Sequence, residues 1–113
     1  MILHMGNSRE ILQGTLDLLI LRTLELGPLH GVGIADRLEQ LSRGVFSVGP
    51  GSLFPALHRL ADKGWIKGEW AEAEGRRVKT YTLTPTGISQ LKQEKRNWKT
   101  ILAAMNHVLA GGV

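Results

Sequence analysis

Ser52, His58, Arg59 and Lys63 recur at helical spacing along the stretch from Val48 to Ile66, with Phe54 among them, opposite a stripe of Leu53, Leu57, Leu60 and Ala61. Arg76, Arg77 and Lys79 follow as a second cationic cluster. Hydroxyl, imidazole, guanidinium and ammonium groups in this arrangement are equipped to bind rather than to make bonds. Their ligand would be a polyanion whose phosphates are gripped by cations while a few side chains read what lies between. Bond-making chemistry lacks its parts. The histidines, His4, His30, His58 and His107, fall without metal-ligand spacing, no Ser, His and acid set emerges, and Gly31-Val32-Gly33 alone is too little to cradle a phosphate. The chain has no cysteine, so disulfides, thiolate metal sites and cysteine nucleophiles are excluded. It is expected to be no enzyme and to need no cofactor or metal.

An isolated amphipathic helix more often packs a small core and leaves its polar face solvated, so the neighbouring elements decide. The helix is expected to start between Pro50 and Ser52 and to stop at Gly64, with a slight bend at Pro55, which lacks an N–H. Before it, Thr15 caps an almost wholly apolar helix carrying Leu16, Leu18, Leu19, Ile20, Leu21 and Leu24, stopped by Gly27-Pro28. Residues 8–13 form a separate helical turn or two that carries Ile11 and Leu12 toward a partner surface. Residues 30–41 make a supporting helix with Val32, Ala35, Leu38 and Leu41 inward, and Gly31 and Gly33 allow another backbone close. Residues 42–50 are a turn longer than the minimal helix-turn-helix connection.

After Gly64 the period becomes alternating. Residues 65–70 and 78–84 read as strands joined through a polar tip at 71–77, with Lys79, Tyr81 and Leu83 on one face. Trp65 and Trp70 read as core and hairpin packing. Glu69, Glu72 and Glu74 on the same hairpin favour a merely solvated face unless they are held away from the phosphates. Thr84-Pro85 then starts a helix on which Ile88, Leu91, Lys95, Trp98, Leu102, Met105 and Leu109 repeat as a heptad seam, broken by one charge and widened by Ile101, Ala104 and Val108. About 25 residues of helix span about 37 Å, more than the preceding domain covers, and a second copy is the simplest cover for the rest.

The expected fold is α+β, mostly α: a winged helix-turn-helix over residues 8–84, with a two-stranded wing, and a long dimerisation helix over 85–111. Ile88, Leu91, Trp98, Leu102, Met105 and Leu109 form the dimerisation set. The chain of 113 residues carries a net charge of +4, a moderate lean toward a polyanionic partner. No secretory leader is seen, the apolar run at 16–26 is too short and too charged to span a membrane, and a cytoplasmic location without membrane association is expected. Residues 1–5 read as an expression remnant.

Four segments carry a family resemblance: Leu12-Gln-Gly-Thr-Leu-Asp-Leu-Leu-Ile-Leu21, Leu29-His-Gly-Val-Gly-Ile34, Gly51-Ser-Leu-Phe-Pro-Ala-Leu-His-Arg-Leu60 and Lys79-Thr-Tyr-Thr-Leu-Thr-Pro-Thr-Gly87. Together they resemble the PadR family over nearly the whole chain after about Arg9. The resemblance implies a dimeric winged-helix transcriptional regulator, usually a repressor, of the short subclass with one C-terminal dimerisation helix. It also implies a pseudo-palindromic operator of double-stranded DNA and release by a small effector. Relatives that bind drugs suggest the sharper expectation that Trp98, with Leu102 and Met105, lines a cavity between subunits for a flat aromatic effector; the plainer one is that Trp98 fills the dimer core. The family pattern usually has tyrosine at Phe54 and an aromatic at Thr80, so this chain lacks a phenolic hydroxyl there. The DNA-binding set is thus Ser52, Phe54, His58, Arg59, Lys63, Arg76, Arg77 and Lys79. A winged helix used only for protein contacts is the alternative, separable by the salt dependence of duplex retention.

Overall fold

The structure is a computed structural model that describes residues 9–110, with side chains from Gly14 to Ala110. Its order is α1 (Arg9–Glu25), β1 (Leu29–His30), α2 (Gly31–Leu41), α3 (Pro50–Asp62), β2 (Ile66–Ala73), β3 (Arg76–Leu83) and α4 (Pro85–Ala110). The expected break at Thr15 is absent: α1 runs unbroken from Arg9, so Thr15 lies inside the helix. Ile11 and Leu12 lie in its backbone span, but their side chains and the proposed remnant at 1–5 fall outside what is described. Gly27, at φ 139, ends the segment as expected.

The core joins Ile20, Leu21 and Leu24 of α1 to Ile34 of α2, to Leu53, Leu57 and Leu60 of α3, and to Ile66, Tyr81 and Leu91. On α2 the inward stripe is Gly31, Ile34 and Leu38, with Ala35 packed beside it, so of the expected Val32, Ala35, Leu38 and Leu41 the first and last do not turn inward. Val32 and Leu41 are exposed. The phase is set by Gly31, whose missing side chain admits Phe54: a Cβ there would lie 3.0 Å from the Phe54 ring. On α3, Ala56 is buried and Ala61 exposed, a smaller correction of the same kind.

The sheet has three strands in the order β1-β3-β2, all antiparallel. The short β1, unanticipated because two residues carry no readable period, pairs Leu29 with Tyr81 and His30 with Thr80. It fastens the start of α2 to the root of the hairpin. The hairpin itself is longer and tighter than expected. Its strands reach Ala73 and Arg76, leaving Glu74 and Gly75, both at positive φ, as a two-residue turn that matches strand twist.

Thr84 joins the hairpin to α4. Its Oγ1 accepts from the Gly87 N–H at 3.0 Å, the expected cap, and donates to the Gly64 carbonyl at 2.6 Å. Gly87 then crosses the chain at Trp65 so closely that a Cβ would overlap the Trp65 carbonyl oxygen. Leu91, expected on the seam between subunits, is 1% exposed inside this single chain. Lys95, the charge that interrupted the seam, bonds Glu25 of α1 at 3.0 Å. The first half of α4 thus packs on α1 and the hairpin root, and residues 99–110 are the part of α4 exposed throughout.

Candidate nucleic-acid interface

The start of α3 is built by Gly49 and Pro50. Gly49 is extended and its carbonyl accepts from the N–H groups of Ser52 and Leu53, while Pro50 sits in the first turn, where its missing N–H costs nothing. Pro55 lies inside the helix and leaves the Gly51 carbonyl without its helical donor, on a face open to water. Leu53, Ala56, Leu57 and Leu60 face the core. Ser52, Phe54, His58 and Lys63 are exposed, as a reading face requires. Phe54 has a second task, because its ring edge braces α3 against Gly31 of α2. The Lys63 ammonium stands 4.6 Å from the centroid of the Trp65 ring.

Arg59 departs from its expected place. Its Nη2 donates to Asp17 Oδ1 of α1 at 2.7 Å, and its Nε is buried without a partner. The phase of α3 turns this side chain toward α1, whose apolar surroundings strengthen the pairing. Arg59 thus ties α3 to α1. Sequence spacing missed it because Asp17 and Arg59 lie 42 residues apart, beyond any local period.

On the hairpin the register sets two faces. Trp70 lies opposite Lys79, Glu72 opposite Arg77, and Gly68 opposite Tyr81, which puts Trp70, Glu72, Arg77 and Lys79 on the face continuous with buried Tyr81. This confirms the shared face expected for Lys79, Tyr81 and Leu83. Gly68 is needed there, since a Cβ would meet the Lys79 stem at 2.7 Å and the Tyr81 ring at 2.9 Å. Arg76 belongs to the opposite face. Trp70 is not packed away as expected; it is 58% exposed, with the Arg77 guanidinium 5.0 Å and the Lys79 ammonium 5.7 Å from its ring. An aromatic directly across the strands from a cation was the signal that could have found it.

The effector and dimer residues lie along α4. Trp98 is half-buried, whereas Ile88, Ile101, Leu102, Met105, Val108 and Leu109 are exposed. Among the described residues no three histidines or carboxylates gather where they could hold a metal ion, and no helix is long and apolar enough to cross a membrane.

A helix held across α1 and α2, followed by a cationic hairpin, defines a mostly helical winged-helix protein with a small antiparallel sheet. The chain belongs to the PadR-like family of transcriptional regulators, whose profile matches residues 20–93. Members of this family are transcription regulators rather than enzymes; they bind DNA and typically dimerise. The chain is similar to the transcriptional regulator Rv3488 of Mycobacterium tuberculosis, with 30% identity over 108 residues, covering 92% of this chain and 98% of that protein. Among solved structures it is similar to a transcriptional regulator from Clostridium thermocellum, with TM-score 0.79 and 28% identity over 86% of this chain and 95% of the other. A PadR family regulator from Clostridium difficile gives TM-score 0.73 and 32% identity over 83% and 97% of the two chains.

Proposed function

We propose that this regulator is a homodimeric, ligand-responsive repressor of a pseudo-palindromic operator. Ser52, Phe54, His58 and Lys63 of α3 face the major groove, and Arg76, Arg77 and Lys79 of the wing hold the backbone. The observation that carries this reading is the fate of the cations. Arg22, Arg59, Lys67 and Lys95 are paired with carboxylates, whereas Lys63, Arg76, Arg77 and Lys79 have no carboxylate partner among the described residues; Arg37, Arg43, Lys92, Arg96 and Lys99 are unpaired as well, but only the first four share one helix end and the hairpin that follows it. Cations left unpaired on one helix end and its adjoining hairpin are what phosphate binding uses.

The apolar face of α4 supplies the second part. Trp98, Leu102, Met105 and Leu109 continue the line that Leu91 begins, and a second copy of the chain covers it in the proposed dimer. Trp98, Leu102 and Met105 are then placed to meet a flat aromatic effector between the subunits. The test is retention of a duplex carrying the chain's own upstream region, against a scrambled duplex, over a series of salt concentrations. A repressor contacting about six phosphates gives a log-log slope near −5 and strong preference for its operator, while a protein adaptor gives a slope near zero. Planar cationic dyes that quench Trp98 and release the duplex support the effector reading; dyes that leave both unchanged overturn it.

A further inference from the structure

Arg77 has a choice of neighbours on the wing. Glu72 lies directly opposite it in the strand register, the position from which opposite charges ordinarily attract. Yet Arg77 forms no ion pair among the described residues, and its guanidinium instead lies 5.0 Å from the centroid of the Trp70 ring. The Lys79 ammonium stands 5.7 Å from the same ring. Of the other two hairpin acids, Glu69 is on the opposite face and pairs with Lys67 at 3.4 Å, and Glu74 stands in the turn.

The alternatives have different consequences for anion binding. A guanidinium paired with a carboxylate has its charge offset and part of its N–H fork occupied. One held beside an aromatic ring keeps both, because the ring accepts the cation through its π face while the N–H edge stays in water. A large aromatic ring left mostly exposed on a polar hairpin adds nothing to the core. Its position is explained by what it holds.

We infer that Trp70 is the positioning residue of the wing: its ring draws Arg77 away from Glu72 and holds Arg77 and Lys79 side by side, with charge and donors free for backbone phosphates of duplex DNA. This deepens the operator-binding reading above and rests on it. Ring and cations form one unit, and Glu72 is the competitor that the unit keeps out of play. Without the ring, Arg77 turns to Glu72 and the wing loses one phosphate contact.

Full-length protein is titrated with its operator duplex by fluorescence anisotropy from low to moderate salt, as wild type, Trp70→Ala, Trp70→Phe and the double variant Trp70→Ala with Glu72→Gln. Trp70→Ala is expected to bind about tenfold more weakly and to flatten the log-log slope by about two for a dimer with two wings. Trp70→Phe keeps a π face and recovers most of the slope. The double variant recovers it without any ring, because the competing carboxylate is gone; a loss of folding would not be rescued this way. An unchanged slope in Trp70→Ala overturns the inference while leaving operator binding intact. Failure of Glu72→Gln to restore a lost slope also overturns it, since Glu72 would then not be what captures Arg77 when the ring is gone. Wild type with no salt-dependent retention overturns the operator reading and this inference together.

Discussion

The two halves of α4 carry one apolar repeat, broken only by Lys95, and have opposite surroundings. In the first, Gly87 and Leu91 are buried against the hairpin root and α1, and Lys95 is tied to Glu25. In the second, Leu102 and Met105 are each about half exposed, and Val108 and Leu109 more so. Periodicity shows that a face is apolar. It does not show what covers that face. The first half completes the protomer, and the second is the part that the proposed dimer would cover.

Leu91→Ala probes the completed half most severely. It removes a fully buried side chain touching several elements and is expected to lower stability by about 2–5 kcal/mol. The loss should be the same at every protein concentration, as read by chemical denaturation. Leu102→Ala, three turns further along the same line, should change the stability of the separated protomer by less than about 0.5 kcal/mol and shift the monomer–dimer equilibrium instead. Sedimentation at several concentrations separates the two outcomes. A concentration-dependent loss in Leu91→Ala would break the contrast.

Gly87→Ala tests the same half through the backbone. The added methyl meets the Trp65 carbonyl, which cannot move aside like a flexible side chain. The helix must lift from the hairpin root, at an expected cost of about 1–3 kcal/mol despite alanine's better helix propensity. Gly14→Ala, at a helical glycine with nothing within 4 Å of the added Cβ, is the matched control and should not destabilise. Thermal melts of the two variants decide the point.

Asp17→Ala sharpens a neighbouring contrast, that between Arg59 and Arg77. The first arginine sits at a helix junction and takes a carboxylate; the second lies on an open hairpin and takes a ring. Removing Asp17 leaves a part-buried guanidinium without its acceptor and should cost about 1–3 kcal/mol. Asp17→Asn keeps an acceptor and should recover part of it. If Arg59 is a tie and not a reader, operator preference in Asp17→Asn stays unchanged while stability falls.

These contrasts mark what the residue pattern could and could not convey. Helix stops at Gly27 and Gly64, the Thr84 cap, the start of α3 and the alternating strands were all legible, since each depends on local backbone chemistry. Helix phase was less so. Ile34 rather than Val32 turns inward on α2 because Phe54, twenty-odd residues away, packs over Gly31, a fact no local period contains. The tie of Arg59 to Asp17 and the burial of Leu91 were missed for the same reason, a partner from a distant segment, whereas the cations beside Trp70 lie only seven and nine residues away across the hairpin. The candidate site was legible as a set of cations, and the division between tied and unpaired cations was not.

The smallest expected effect concerns the clamp between the halves, Lys95 with Glu25. A hydrogen bond from the Lys95 ammonium holds the Glu25 carboxyl below its ordinary value of 4.5, partial burial opposes this, and the charges of Lys95 and Arg22 add to the lowering. Because the folded value lies below the unfolded one, the contribution is complete above about pH 4.5 and disappears as pH falls through the lowered folded value. Both side chains are more than one-third exposed, so solvent screening keeps the clamp within about 1 kcal/mol. The stability difference between wild type and Glu25→Gln should therefore be small and constant near neutral pH and vanish in acid. The Leu91→Ala difference has no titrating group of its own and should persist across the same range. A Glu25→Gln difference that survives full protonation of the carboxyl would mean that α1 and α4 are joined there by packing and not by charge.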